Sequence, residues 1–432
     1  MGIDQSEASP ALQQKVLYAG TVSRSFAEGS QLLEQLADLS VAAKQVERLA
    51  RRIGAERVAQ RDAEVAAYQA LPLVEKFAAP ADVPAPELAV VMADGGRLQI
   101  LDRTPAPPAP PPACAGDAAV VAEEESWDPE EAARGHWRED KVGLLLTMHS
   151  EVSADDPCPD IPPSFVDATR IPELVRELSR AVKRPADAGE PVAPAEVADE
   201  APQEAPAYRP PRPGQRQVLA SRRKWRAFAP IVAAAARARG FQQAARKAFV
   251  GDGSANHWRL QRRFFGSFVP ILDFIHALSY VYAAALAGRL GAAGWACYRQ
   301  WIGWVWQGQA SRVIAALEER QTELGLPEPD DPETHPRQVV DRALTYLRNQ
   351  QDKMHYDAYR RQGLPITSSL MESAVKQINR RVKGTEKFWS EAGAEALLQL
   401  RADQLSDDQP LEAFWQRRQD AATGQRRYSP AA

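Results

Sequence analysis

The chain has 432 residues, with 53 Lys and Arg against 57 Asp and Glu and a formal charge of −4. That length allows two or three domains and excludes a single small binding module, and the near-neutral total, taken as a mean, argues against a nucleic-acid partner. Three scattered cysteines, Cys114, Cys158 and Cys297, exclude a disulfide framework and a thiolate metal site. The first residues lack a signal-type apolar core, and the most apolar stretch, 268–288, is interrupted by Asp273 and His276. The expectation is a soluble cytoplasmic protein with no membrane segment.

Residues 10–70 carry apolar residues at helical spacing. Two helices meeting near Ala37-Asp38-Leu39-Ser40 look like a helix-turn-helix. Leu32, Leu33, Leu36 and Leu39 would form one stripe, Val41, Val46 and Leu49 another, and Ser40 would cap the second helix. The polar face of that helix, with Lys44, Gln45, Arg48, Arg51 and Arg52, suits a DNA groove. It suits an ordinary solvated helical hairpin equally well.

Next comes a β-type region. Residues 88–93 read as a strand, Gly95-Gly96 as a turn and 98–101 as the returning strand of a hairpin. Residues 141–148 are a further strand. The proline-rich and acidic segments at about 104–135 and 150–215 read as flexible insertions.

Charge is strongly segregated. Residues 117–204 hold 22 acidic and 8 basic side chains, whereas 205–251 hold 11 basic and no acidic ones. The latter stretch, with Arg222, Arg223, Lys224 and Arg226, is suited to phosphates, with a plain charged helix face as the competing reading. The neutral mean thus conceals basic segments able to meet DNA.

The words KAFVGDG (247–253) and VPILDF (269–274), with a helix over 256–265 between them, add strand, helix and strand, and predict a mixed α/β sheet. Residues 277–362 are helical by pattern, and Trp295, Trp301, Trp304 and Trp306 are expected to form the core of that block.

Three acids stand where a charge is costly unless used. Asp94 ends the apolar run ELAVVMA before two glycines, and Asp252 follows KAFVG before Gly253. Glycine at such strand ends lets a substrate backbone approach closely. Glu372 falls in the first turns of a helix capped by Ser368 or Ser369, with Lys376, Asn379 and Lys383 on the same face and Arg380 at its edge. Such a face can hold a metal at one end and phosphates along the rest, and it also matches a solvated amphipathic helix. An Asp-Asp-Glu set meets the need of two-metal phosphoryl transfer, because Mg²⁺ takes oxygen ligands and keeps several waters.

The words VMADGGRL, HWREDKVG, VGDGSANHW followed by ILDFIHAL, and TSSLMESAVKQINRRVKGTEKFW resemble a DDE transposase of a bacterial insertion sequence, of the Mutator-like group and its Kra-type branch. The resemblance covers most of the chain outside the two insertions. It implies an RNase H-like mixed five-stranded sheet, with a helical DNA-binding domain over 1–80, the first part of the core over 85–276, an all-helical insertion over 277–362 and C-terminal helices over 363–432. It implies Asp94, Asp252 and Glu372 as catalytic residues and as ligands of two Mg²⁺ or Mn²⁺ ions. Asp273 and His276 match a D-x-x-H word, so they support the site or, for Asp273, rival Asp252 as second ligand.

DNA contacts are expected from Lys376, Asn379, Arg380, Lys383, Lys44 and Arg48. Trp389 reads as helix packing, with stacking on an extruded base as the alternative. The implied activity is metal-dependent cleavage at element ends and strand transfer into target DNA, by a homo-oligomer associated with the nucleoid. A nuclease of the same fold that does not join strands, and an inactive or domesticated DNA-binding relative, are the other readings.

Overall fold

In the computed structural model the described residues are 9–101, 136–183, 208–289 and 291–423. The first expected insertion and 184–207 of the second lie outside them. Helices α1 (Pro10–Val22), α2 (Phe26–Ala37), α3 (Ala43–Ala70) and the one-turn α4 (Leu73–Lys76) precede strands β1 (Leu88–Ile100) and β2 (Trp137–His149). Helix α5 (Arg170–Lys183), β3 (Arg212–Ser221), α6 (Trp225–Ala238), β4 (Arg246–Gly251), α7 (Ala255–Phe264) and β5 (Val269–Leu272) follow. A run of helices comes next: α8 (Phe274–Leu286), α9 (Gly291–Trp306), α10 (Ala310–Leu324), α11 (Pro336–Gln350) and α12 (Tyr356–Arg361). The chain then continues through α13 (Ser369–Val382), β6 (Phe388–Trp389), α14 (Glu391–Leu405) and α15 (Pro410–Thr423).

The fold is mixed α/β. Its six-stranded sheet has the order β3-β2-β1-β4-β5, with the short β6 also on β1. β2 runs antiparallel to β1 and β3, while β4, β5 and β6 are parallel to their neighbours. Leu88 to Met92 are all buried, because the strand has partners on both edges and helices on both faces, which favours a continuous apolar run over alternation. Phe228 and Val232 of α6 pack over Gly143 on one face, and α13 crosses β1 and β2 on the other.

The expected hairpin at 88–101 does not form. Gly95 and Gly96 are extended inside the single strand β1, opposite Lys141 and Asp140 of β2. The reason for glycine here is lateral space rather than a turn. A Cβ on Gly95 would come 2.7 Å from Glu139 Oε1, and one on Gly96 would meet both Asp140 carboxylate oxygens at 2.7 and 2.8 Å.

Nor is the second expected insertion wholly a free loop. Over 150–183 the chain docks on the helical run: the Trp306 indole N–H donates to the Cys158 carbonyl at 2.8 Å, the Tyr298 hydroxyl donates to the Phe165 carbonyl at 2.8 Å, and Arg360 pairs with Asp156. Residues 212–221, of which the first four fall in the expected insertion and the rest in the basic stretch suited to phosphates, form β3. Trp301 and Trp306 are buried, with Trp295 and Trp304 packed against the same core, as the pattern predicted.

At the N-terminus Ser9 and Ser25 cap α1 and α2, accepting the Leu12 and Glu28 N–H groups. Ser40 does not cap α3. That helix starts after Ala42, whose N–H donates to Gln45 Oε1 at 3.1 Å, and Leu36 leaves the expected stripe at 81% exposure. α3 continues for 28 residues because its later turns pack on α14. Arg57 bonds Asp403 at 2.9 Å, and Arg61 bonds Glu395 at 2.9 Å. A Cβ on Gly54 would lie 2.6 Å from the Ala396 carbonyl oxygen, so only glycine permits this approach.

Candidate active site

The parallel register places the strand-end acids. Leu88 to Met92 pair with Arg246 to Val250, and Ala248 to Gly251 pair with Val269 to Leu272. Two residues past the last β1–β4 pair the same register sets Asp94 opposite Asp252, and one residue past the last β4–β5 pair it sets Asp252 opposite Asp273. All three acids therefore stand at one level, Asp252 and Asp273 just past the carboxyl ends of β4 and β5 and Asp94 midway along β1 where its pairing with β4 stops, a position where open α/β sheets leave a cleft. β1 continues beyond its pairing with β4 and next meets β6 at Gln99, so Asp94 lies where that edge of the strand is uncovered.

Asp94 and Asp252 interact electrostatically. Burial and the Asp252 charge push the Asp94 carboxyl up to about 6, against the pull of His257, the Gly95 N–H and His276. Its Oδ1 accepts the Gly95 N–H at 2.7 Å. Burial also acts on Asp252, but the His257 imidazole, with Nδ1 2.7 Å from Oδ1, together with His276 and the Ser254 N–H, outweighs it and holds this carboxyl well below the usual carboxylate range.

His257 lies on the first turn of α7, buried, with the Trp225 ring edge-on at 5.0 Å. Although burial favours its neutral form, Asp252, Asp94 and Glu139 raise its pKa. His257 was not singled out from the sequence. Its five-residue spacing from Asp252 across a helix start was the available signal.

Asp273 is built differently. It is fully buried and caps α8: Oδ1 accepts the Ile275 N–H at 3.1 Å and the Ser368 N–H at 3.3 Å, and Oδ2 lies 2.7 Å from the Ser368 hydroxyl and 2.9 Å from His276 Nδ1. Both oxygens are thus occupied inside the protein. Ser368 spends its hydroxyl on Asp273 and makes no side-chain cap on α13, unlike the expectation. Burial opposes the charge on His276, but its bond to Asp273 and the charges of Asp273, Asp252 and Asp94 raise it to about 9. The imidazole is therefore cationic at neutral pH.

Glu372, on the first turn of α13, is partly exposed, with Lys376 Nζ 3.9 Å away, the surface pair its spacing allowed. Burial and the Asp273 charge raise its pKa, opposed by Lys376 and His276. It reaches the cluster electrostatically through Asp273 and His276. Among the described residues, no group of three or more His, Cys, Asp or Glu side chains stands close enough to hold a metal ion as placed.

The loop after Asp252 is held from the helical run. Tyr346, stacked on Tyr280 at 3.8 Å, donates its hydroxyl to the Asp252 carbonyl at 2.6 Å, and Gln350 donates to the Gly253 carbonyl at 3.2 Å. Gly253 has φ +98°, and a Cβ there would lie 2.8 Å from the Tyr346 ring. Tyr346, rather than a substrate, takes the space this glycine opens.

The basic residues divide. Lys376 and Arg380 are exposed on α13, and Lys44 and Arg48 on α3, where Lys44 also pairs with Glu47 at 2.8 Å. Asn379 turns its Oδ1 inward, to 2.9 Å from where a Gly96 Cβ would be. Lys383 ends α13 with its ammonium 6.0 Å from the Trp137 ring centre. Arg222 and Arg223 are neutralised internally, by Glu391 at 2.7 Å and Asp62 at 2.6 Å. Trp389 packs edge-on against Phe26 and donates its indole N–H to the Val382 carbonyl at 2.8 Å, a packing role.

No protein-family model matches the chain, and no curated protein does. Among the described residues no helix is long and apolar enough to cross a membrane.

Proposed function

We propose that this protein is a DDE-type DNA transposase with an RNase H-like catalytic core, which cleaves DNA at the ends of an insertion sequence and transfers the freed strand to target DNA. The observation that supports the reading is the β1–β4 register, which carried two residues on sets Asp94 level with Asp252, while Glu372 on α13 is coupled to the same cluster through Asp273 and His276. The order of the elements supports it: Asp94 on the first strand, Asp252 directly after the fourth, and Glu372 on the helix that follows the run α8 to α12.

The donor chemistry fits divalent metal. Two carboxylates interact in a buried setting, and burial together with the Asp252 charge raises Asp94, a cost that a bound cation would relieve. An oxygen-only set suits Mg²⁺ or Mn²⁺. Asp94 and Asp252 would hold the ions, with Glu372 joining from α13. When bound there, such ions would acidify a water and stabilise the leaving oxygen.

The chain's own residues position these groups. His257 fixes the Asp252 carboxylate, and Tyr346 fixes its backbone. Asp273 anchors the start of α13 through Ser368, which sets the direction from which Glu372 approaches. Cationic His276 lends positive charge beside the acids, and Lys376 and Arg380 bind backbone phosphates of double-stranded DNA. Two copies acting on paired ends at the nucleoid complete the reading.

The test is incubation of the protein with DNA carrying the inverted repeats that flank its coding region, with Mg²⁺ or Mn²⁺. The wild type is expected to cleave and join strands and Asp94→Ala to do neither. Equal cleavage by both sinks the mechanism, and cleavage without joining reassigns the protein as a nuclease.

A further inference from the structure

A cavity of about 600 Å³ opens between the N-terminal helices and the sheet domain, outside the carboxylate cluster. Its walls include three aromatic rings, Tyr68, Phe77 and Phe264, and three cations, Lys76, Arg226 and Arg263; no acid lines it among the described residues. Lys76 Nζ stands 5.9 Å from the Tyr68 ring centre, and the Arg263 guanidinium 5.8 Å from that of Phe264. Rings paired with cations are what a nucleobase and its phosphate require: the ring faces stack on the base and the cations meet the charge. The volume falls within the range of about 300–1,000 Å³ seen for small-ligand sites, and a duplex does not fit such a space.

The position adds a direction. Arg226 adjoins Trp225, whose ring packs on His257 beside Asp252. Arg263 lies six residues after His257 on α7, roughly 9 Å along the helix axis. That helix starts beside the Asp252 loop and leads back towards the start of β5, so the cavity lies at its far end from the acids, with Arg259 and Arg262 along the way.

We propose that this cavity binds one unpaired nucleotide of the DNA strand leaving the cleavage site, stacked among Tyr68, Phe77 and Phe264 with its phosphate held by Arg226 and Arg263. The inference rests on the DNA-processing reading and names the strand geometry it requires: a single strand that runs along α7 away from the scissile phosphate.

The test uses the full chain in EDTA, so that cleavage plays no part and strand capture can fail or succeed independently of catalysis. A short single-stranded oligonucleotide with 2-aminopurine is titrated by fluorescence against wild type, Arg226→Gln, Arg263→Gln and Phe264→Leu, with deoxyadenosine monophosphate as a second probe. Arg226 and Arg263 are exposed, so their substitution leaves the fold intact, which circular dichroism checks. Expected are quenching of 2-aminopurine by the wild type, binding weakened about five- to tenfold in each variant, and a salt slope lower by about 0.7 in each arginine variant. The oligonucleotide should bind at least tenfold tighter than the mononucleotide. Affinity and quenching unchanged in all three variants overturn the proposal, as does a mononucleotide that binds as tightly as the strand.

Discussion

Asp94 in β1 and Asp252, one residue past β4, are set opposite each other by carrying the register of the two parallel strands two residues on, and the two acids, far apart in sequence, interact electrostatically. Burial and repulsion by the Asp252 charge raise Asp94 to about 6. A divalent cation relieves that repulsion, and an Asn at 94 removes the need for one. In thermal melts, Mg²⁺ at roughly 100 times its dissociation constant is expected to stabilise the wild type by about 2.7 kcal/mol and Asp94→Asn by much less. Identical Mg²⁺ shifts in both proteins would remove Asp94 from the metal site.

Asp252 and Asp273 are separated by what surrounds them. Asp273 is fully buried with both oxygens bonded to Ile275, Ser368 and His276, whereas the Asp252 side chain is 32% exposed. Asp273→Asn should cost about 2–4 kcal/mol in urea unfolding, since it leaves buried donors unpaired. Asp252→Asn gives up the pair with buried His257 and should also cost stability, but of the two it alone is expected to abolish the Mg²⁺ shift in thermal melts. The opposite pattern would make Asp273 the second ligand.

Asp140 lies in β2 opposite Gly96, fully buried, and neither of its carboxylate oxygens has a hydrogen-bond partner in the structure. Burial pushes this carboxyl up to about 7. Because the folded value exceeds the unfolded one, its favourable contribution is complete below about pH 4 and is lost as pH rises through 7. Asp140→Asn should therefore gain on the order of 3 kcal/mol over wild type at pH 8 and little at pH 4. Chemical denaturation at both pH values checks this, and an equal gain at both would refute it.

Arg381 lies between Arg380 and Lys383, two residues that the sequence assigns to DNA, yet it is 2% exposed. Its guanidinium lies 4.4 Å from the Phe26 ring centre and 5.5 Å from that of Trp389, and donates to the Gly20 carbonyl at 3.0 Å. It therefore ties α13 to the N-terminal helices. Arg381→Ala is expected to destabilise the fold by about 2–4 kcal/mol. Arg381→Lys, lacking the planar fork, should recover only part of that loss. A stable Arg381→Ala protein that binds DNA more weakly would return the residue to the DNA face.

The sequence by itself determined the alternation of strands and helices after residue 245, the helical run with its tryptophan core, and the segregation of charge. It also singled out Asp94, Asp252, Asp273, His276 and Glu372. Periodicity, glycine punctuation and the cost of an acid beside an apolar run are local properties, and a single chain displays them directly. Only the tertiary structure decided what depends on partners distant in sequence. Gly95-Gly96 reads locally as a turn, but β2 pairs across it and keeps it extended. Arg222 and Arg223 look like phosphate ligands until Glu391 and Asp62 are brought to them. Asp252 and Asp273 look alike in sequence, and it is Ser368, some 95 residues away, that occupies one of them and leaves the other facing Asp94.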